Sequence, residues 1–301
     1  MTQARTTAAT DTSLKARYDR DGYVYPVRVM SAEGMAETRH RLEGYLAQSN
    51  RNAKEDTLLQ FKVHMVFPWA DALIRHPAVL DAVETLIGPD ILVWNTAVLI
   101  KPPQNRDFVS WHQDIYYWGN HPDDVVGAWI AIADSTPENG CVRVIPGSHK
   151  EGVLRHADTF AADNMLSRGQ QIADAVDESR AVDMALRAGE MSLHHTMTVH
   201  GSGRNRSGRT RTGFVVTYMR PSTTMAGPRT GAALVRGIDT HGHFDSEMTR
   251  PATDCDPAGL AAHDAAMRPF SAAIYEGAGK DGRLSPTKLG DGGGVPPEAP
   301  R

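Results

Sequence analysis

Cysteine is nearly absent from this chain. Its 301 residues include two, Cys141 and Cys255, far apart and outside any CxxC spacing. That excludes a disulfide framework and leads us to expect free thiols in a reducing cytoplasm. Long apolar runs are missing as well. No stretch approaches the roughly 18 residues needed to cross a bilayer, and the first ten residues, Met1 to Thr10, lack the apolar centre of a secretory signal. Excess positive charge is also missing: the net charge is −4, so no basic face for nucleic acid is expected. No internal repeat is visible. What remains is a chain that is 41% hydrophobic, enough for one large domain or two small ones.

Two segments read as tails. Residues 1–12 are small and polar, and residues 279–301 contain Gly290, Gly292, Gly293 and Gly294 followed by Pro296, Pro297 and Pro300. Both compositions predict disorder, which leaves 13–278 as the folded domain. Within it, Leu14 to Arg20 and Ser31 to Gln48 read as helices, the second with Met35, Leu42, Tyr45 and Leu46 on one face. His76-Pro77 opens another that runs to Gly88-Pro89, and Ala258 to Tyr275 reads as a last one. Strands are expected at Gly22–Val29, Ile91–Ile100, Val125–Ala133, Ala181–Leu186, Glu190–His195 and Thr212–Met219. Thr57 to Phe67 also reads as a strand, because Leu59, Phe61, Val63 and Met65 alternate with Gln60, Lys62 and His64. Pro146 to His149 is a turn, and the polar stretch 151–180 is irregular and long enough for a lid. The pattern predicts a mainly β domain with flanking helices.

The chemistry concentrates in Trp111-His112-Gln113-Asp114. On an extended backbone, residues i and i+2 face the same side, so His112 and Asp114 reach one point. A second imidazole, His200, follows 88 residues later, just before a polar, Gly-rich turn. Two histidines and a carboxylate make the facial triad of non-haem Fe(II) oxygenases, with three metal positions open. His194 and His195, on the preceding strand, compete with His200 for this role. Arg211 lies eleven residues past His200, and a buried guanidinium there suits a two-pronged grip on a carboxylate. Arg209 shares its face and competes for that grip. Triad and clamp together suggest an oxygenase that uses a 2-oxo acid.

The strings Ser110-Trp-His-Gln-Asp114, Pro137-Glu-Asn-Gly-Cys-Val-Arg-Val-Ile-Pro-Gly-Ser-His149 and Val199-His-Gly-Ser-Gly203 with Asn205-Arg206-Ser207 resemble the phytanoyl-CoA dioxygenase family, whose superfamily includes bacterial ectoine hydroxylases. The resemblance runs from about Tyr18 to about Gly277. It implies a double-stranded β-helix, the jelly-roll or cupin-like fold, with helical flanks. It implies Fe(II) on His112, Asp114 and His200, with 2-oxoglutarate and O2 as co-substrates. Arg211 would meet the distal carboxylate of 2-oxoglutarate, Ser202 would add a hydroxyl there, Trp129 would wall the pocket, and Lys62 falls where some members place a lysine. The implied reaction is hydroxylation of a small molecule's C–H bond with release of succinate and CO2. Related halogenases replace the metal carboxylate by Ala or Gly, and Asp114 is present here. Desaturation, epimerisation and cyclisation use the same iron site. A cupin-like metal-binding module without catalysis is the alternative, and Arg211 beside a full triad argues against it. Substrate contacts are expected from Gln60, His64, Tyr116, Tyr117, Trp118, the 151–180 loop and Gln113, unless Gln113 faces the opposite side of its strand. Arg229 and Arg236 would meet an anionic group, whereas the aromatic cluster would equally suit a cationic amine, so the sign of the substrate's charge stays open.

Overall fold

The computed structural model describes residues 8–49, 56–117, 122–225 and 227–275. The first described element is helix α1 (Ala8–Asp21), which begins inside the segment assigned above to a tail; residues 1–7 and 276–301 lie outside the described residues. Strand β1 (Tyr23–Arg28) and helix α2 (Ala32–Ser49) follow as anticipated, α2 burying Met35, Thr38 and Leu42.

The expected strand over 57–67 is not formed. Helix α3 (Thr57–Gln60) and a 3-10 turn (Val63–Met65) stand in its place. The apolar alternation is there, but local bonding overrides it. Asp56 accepts from Leu58 N at 3.1 Å and caps α3. Lys62 then adopts a left-handed φ of 48°, which no extended strand tolerates. Two further helices, α4 (Pro68–Ile74) and α5 (Pro77–Ile87), each open on a proline, whose missing N–H removes no helical bond at that position. Of these, α4 was not anticipated.

The remaining chain is mostly strand. It comprises β2 (Ile91–Lys101), β3 (Val109–His112), β4 (Val125–Ala131) and β5 (Val142–Val144). Next come β6 (His156–Asp158), β7 (Gln170–Ile172), β8 (Val182–Met184) and β9 (Glu190–His195). The series ends with β10 (His200–Ser202), β11 (Arg211–Met219), β12 (Gly231–Arg236), β13 (Asp245–Ser246) and helix α6 (Pro257–Ile274). A seven-stranded sheet has the order β1-β9-β4-β11-β2-β12-β13, and a four-stranded sheet the order β3-β10-β5-β8. Pairing is antiparallel except between β12 and β13.

Alternation along the strands separates two faces. Val93, Val98, Phe214 and Val216 join Met35, Leu42, Leu73 and Val83 in a core between the large sheet and the helices. Each such side chain contributes about 1.5–3 kcal/mol when fully buried. On the opposite face, Trp129 and Ala131 of β4 meet Val142, Val144 and Met184 of the small sheet. Two sheets packed face to face, with helices on the outside, are the double-stranded β-helix that was expected.

The stretch 151–180 is not irregular throughout. It contains the hairpin β6–β7, and the hairpin is tied to β3. Asn164 Nδ2 donates to Ser110 Oγ at 2.9 Å, and that hydroxyl in turn donates to Gln170 O.

Candidate metal centre

His112 ends β3 and His200 begins β10, and the two are direct cross-strand partners. Partners of that kind place their Cβ atoms about 4.5–5.5 Å apart on one face of a sheet. Their ring centroids lie 4.1 Å apart. Asp114 joins them by another route than the pleat. The strand stops at His112, and Asp114 opens a 3-10 turn (Asp114–Tyr117). Ile115 N, donating to Thr196 O at 3.0 Å, fixes that turn.

Gln113 holds the connection from behind. Its Nε2 donates to Gly152 O and Met197 O at 2.9 and 2.7 Å, and its Oε1 accepts from Leu154 N at 2.8 Å. Its backbone N–H donates to His156 Nε2 at 2.9 Å. It is wholly buried, and its amide serves the scaffold rather than a substrate, contrary to the expectation above.

Asp114 Oδ1 is 3.3 Å from His112 Nε2 and 3.8 Å from His200 Nε2. One ligand atom from each of the three residues falls within 4.8 Å of the others. Both imidazoles are oriented alike: His112 Nδ1 is 2.9 Å from Ser110 O, and His200 Nδ1 is 2.9 Å from Thr198 O. A carbonyl can only accept, so each Nδ1 carries the hydrogen and each Nε2 lone pair faces the centre. Burial, then repulsion from His112, holds His200 well below the ordinary histidine range. Burial opposes the charge of Asp114, but His200, His112 and His194 outweigh it and hold the carboxyl well below the carboxylate range. The donor set, imidazole nitrogen and carboxylate oxygen grouped on one side, fits Fe(II) with open positions.

A second feature stands on the facing, seven-stranded sheet and is linked to β10 through Ser202. Arg211 starts β11 opposite Lys101, the last residue of β2. It is 0% exposed, and none of its three guanidinium nitrogens finds a partner among the described residues. Burial pulls it down to about 10, so it keeps its charge at neutral pH. Trp129 lies against it, with 5.1 Å from guanidinium carbon to ring centroid. A Cβ on Gly213 would stand 1.9 Å from the Trp129 ring, so glycine at 213 is what admits the indole. Arg209, by contrast, is exposed.

Lys101 Nζ donates to Ser202 Oγ at 2.5 Å, to Ser202 O at 3.3 Å and to Gly203 O. Ser202 Oγ passes its own hydrogen to Gly140 O at 2.8 Å. Burial, followed by Arg211, pushes Lys101 down to about 6. Arg211 thus carries a buried charge with no carboxylate bonded to it among the described residues, beside a lysine that can gain a proton, an arrangement suited to an anion, since an unpaired buried charge is costly.

Lys101, which the sequence did not single out, stands beside Arg211, whereas Lys62 does not. Lys62 Nζ lies 2.6 Å from Glu247 Oε1 and also donates to Trp94 O and Gly231 O, at 2.9 and 3.1 Å. Its charge is met elsewhere. The signal for Lys101 was present: it continues the alternation Asn95, Ala97, Leu99 along β2, but the following Pro102-Pro103 made it read as the strand's end.

His64 is likewise not at the centre. Its Nδ1 is 2.9 Å from Thr96 Oγ1, and Thr96 pairs with Val216 on the helix-covered face. Gln60, at the end of α3, is half-buried. The side chains of Tyr116 and Tyr117, and the whole of Trp118, lie outside the described residues. Arg229 is held by Asp245 at 2.6 Å, and Arg236 by Asp81 and Glu84 at 2.8 and 2.6 Å, so neither offers a free guanidinium. His195 faces Asp123 at 3.1 Å, away from the cluster. Among the described residues no helix is long and apolar enough to cross a membrane.

Comparison with known proteins agrees with this geometry. The family model described as phytanoyl-CoA dioxygenase (PhyH) matches residues 18–213. The chain is similar to L-proline trans-4-hydroxylase of Streptomyces griseoviridis, 27% identical over 71% of this chain and 88% of that protein. It is also similar to human peroxisomal phytanoyl-CoA dioxygenase, 30% identical over 44% of this chain and 40% of that one. The chain spans about half the length, or less, of several curated relatives it matches. Among solved structures, the non-heme monooxygenase ThoJ superposes with a TM-score of 0.78 at 34% identity, over 87% of this chain and 98% of that one. With the His-Asp-His cluster, the buried Arg211 and the match over residues 18–213 in agreement, the chain belongs to the phytanoyl-CoA dioxygenase family.

Proposed function

We propose that the chain is an Fe(II)- and 2-oxoglutarate-dependent dioxygenase that hydroxylates a C–H bond of a small molecule, releasing succinate and CO2. The observation that carries this reading is Arg211, a buried guanidinium whose three nitrogens find no partner among the described residues, in a fold that also gathers a His-Asp-His cluster. A metal-binding module without catalysis has no use for such a clamp. When bound, Fe(II) with 2-oxoglutarate would supply the oxidising chemistry and activate O2.

The protein's part is ligation, orientation and exclusion of water. His112, Asp114 and His200 would hold the metal. Arg211 grips a carboxylate through parallel N–H donors, with Trp129 fixing the plane of the guanidinium. Lys101 adds positive charge, and Ser202 connects it to the Gly140 carbonyl. Asp114 as ligand leaves no vacancy for a halide, which favours hydroxylation over halogenation. The deciding experiment is anaerobic titration of the Fe(II)-loaded protein with 2-oxoglutarate. A weak visible charge-transfer band, followed by substrate-stimulated succinate release from a metabolite panel, is the expected result. No band at saturating co-substrate would sink the proposal.

Lys101 supplies a pH signature. In the empty clamp it titrates at about 6. An arriving carboxylate offsets the Arg211 charge and raises that value, so binding takes up a proton above pH 6. The sign follows: affinity for 2-oxoglutarate is flat below about pH 6 and weakens above it, by at most about tenfold per pH unit. Calorimetry with Mn(II) in place of Fe(II), in buffers of different ionisation heat, measures the uptake directly. Lys101→Met is expected to bind more weakly and without the slope. An unchanged slope in that variant would assign the proton to another group.

A further inference from the structure

Asp114 has two carboxylate oxygens, and they face different partners. Oδ1 lies with His112 and His200, whereas Oδ2 is 3.2 Å from His194 Nε2. An ionised carboxylate only accepts, so His194 Nε2 carries the hydrogen and donates it.

The place for this imidazole is built into the sheet. His194 pairs across β9 and β4 with Gly127. A Cβ on Gly127 would stand 2.5 Å from His194 Nε2 and 2.7 Å from Cε1. The ring occupies the space of the missing side chain and reaches over β4 to Asp114. It is 4% exposed, with its centroid 4.5 Å from that of His200. The donor is thus rigidly placed, by a bare backbone on one side and an imidazole on the other.

We infer that His194 is a positioning residue that reserves Asp114 Oδ2 and so restricts Asp114 to metal ligation through Oδ1 alone. This rests on the triad reading above. Carboxylates bind divalent metals through one oxygen or two. A facial triad leaves three positions open, and a two-oxygen aspartate would fill one of them. The bond from His194 keeps that position available for the 2-oxo acid.

The test uses Co(II) as a redox-stable probe in the full chain, comparing wild type, His194→Phe and His194→Gln. Phe keeps the ring volume and removes the donor; Gln restores an amide N–H near the Nε2 position. The visible Co(II) spectrum without 2-oxoglutarate reads the aspartate's ligation mode by itself, and calorimetry reads the affinity for 2-oxoglutarate. In His194→Phe, Co(II) is retained, its spectrum changes, and 2-oxoglutarate binds about tenfold more weakly, the loss of one charge-assisted bond. His194→Gln recovers both readouts toward wild type. A His194→Phe spectrum and affinity identical to wild type would overturn the inference. Complete loss of Co(II) would overturn it too, by making His194 a ligand. If His194→Phe does not fold, Gly127→Val, which displaces the ring and leaves His194 in place, must give the same spectral change or the inference fails. If wild type takes Co(II) but never 2-oxoglutarate, the proposed function fails, while the Co(II) spectra still decide the role of His194.

Discussion

Arg211→Met is expected to weaken 2-oxoglutarate binding by about thirtyfold or more, and yet to leave the ligand-free protein at least as thermally stable as wild type. The two effects have one cause. In the empty clamp the guanidinium is fully buried without a partner among the described residues, and an unpaired buried charge is a cost to the folded state. Methionine fills similar volume without that cost. Bonds to a charged group are worth about 1.5–3 kcal/mol, and about 2 kcal/mol corresponds to the stated factor. Calorimetry gives the affinity, and differential scanning gives the melting temperature with and without co-substrate. In wild type 2-oxoglutarate raises Tm; in Arg211→Met that rise disappears. Arg211→Lys keeps charge without the planar fork and should fall between. Arg209→Ala is the control, since Arg209 is exposed. A crippled Arg209→Ala beside a normal Arg211→Met would move the clamp by one pleat and contradict the burial seen here.

The second large effect is loss of metal. His112→Ala, Asp114→Ala and His200→Ala are each expected to lose Fe(II) on gel filtration and to abolish turnover, because three ligands are the least a facial triad can have. His200 is the informative member, since His194 lies 3.2 Å from Asp114 and could be mistaken for the second imidazole. His200 is the cross-strand partner of His112 and presents Nε2 inward, its Nδ1 held by Thr198 O. Metal kept by His200→Ala and lost from His194→Phe would reverse the assignment.

Much of this site was legible in the sequence. The HxD pair, His200 and Arg211 stand in the order and spacing that the site requires, and long strands such as β2 and β11 announced themselves by composition. What was not legible depends on long-range contacts or local bonding. The alternation over 57–67 mimics a strand, but an Asp56 cap and a left-handed Lys62 decide against it. Lys62 and Lys101 are both lysines beside strand-like runs. Only the folded chain shows that Glu247, 185 residues away, takes the first and that Arg211 and Ser202 surround the second. Asp114 does stand beside His112, but not for the reason the spacing offered: the pleat argument fails where β3 stops, and the 3-10 turn supplies the approach instead. Gln113 looked like a pocket residue because it sits between ligands, whereas burial and four hydrogen bonds make it a scaffold group.

The pairing of His112 with His200 bears on how the protein assembles. The two residues are 88 positions apart in the sequence, so the site does not exist until that long loop has closed. Closure over such a distance is entropically slow to achieve and contributes to a high contact order. A metal ion held by this triad would bind the completed β-helix and find no comparable site in the unfolded chain. By mass action it stabilises the folded state by about 2.7 kcal/mol when present at a hundredfold excess over its dissociation constant. On the proposed function, metal supply is therefore a folding variable as well as a catalytic one, and chelation is expected to lower the melting temperature before any co-substrate is considered.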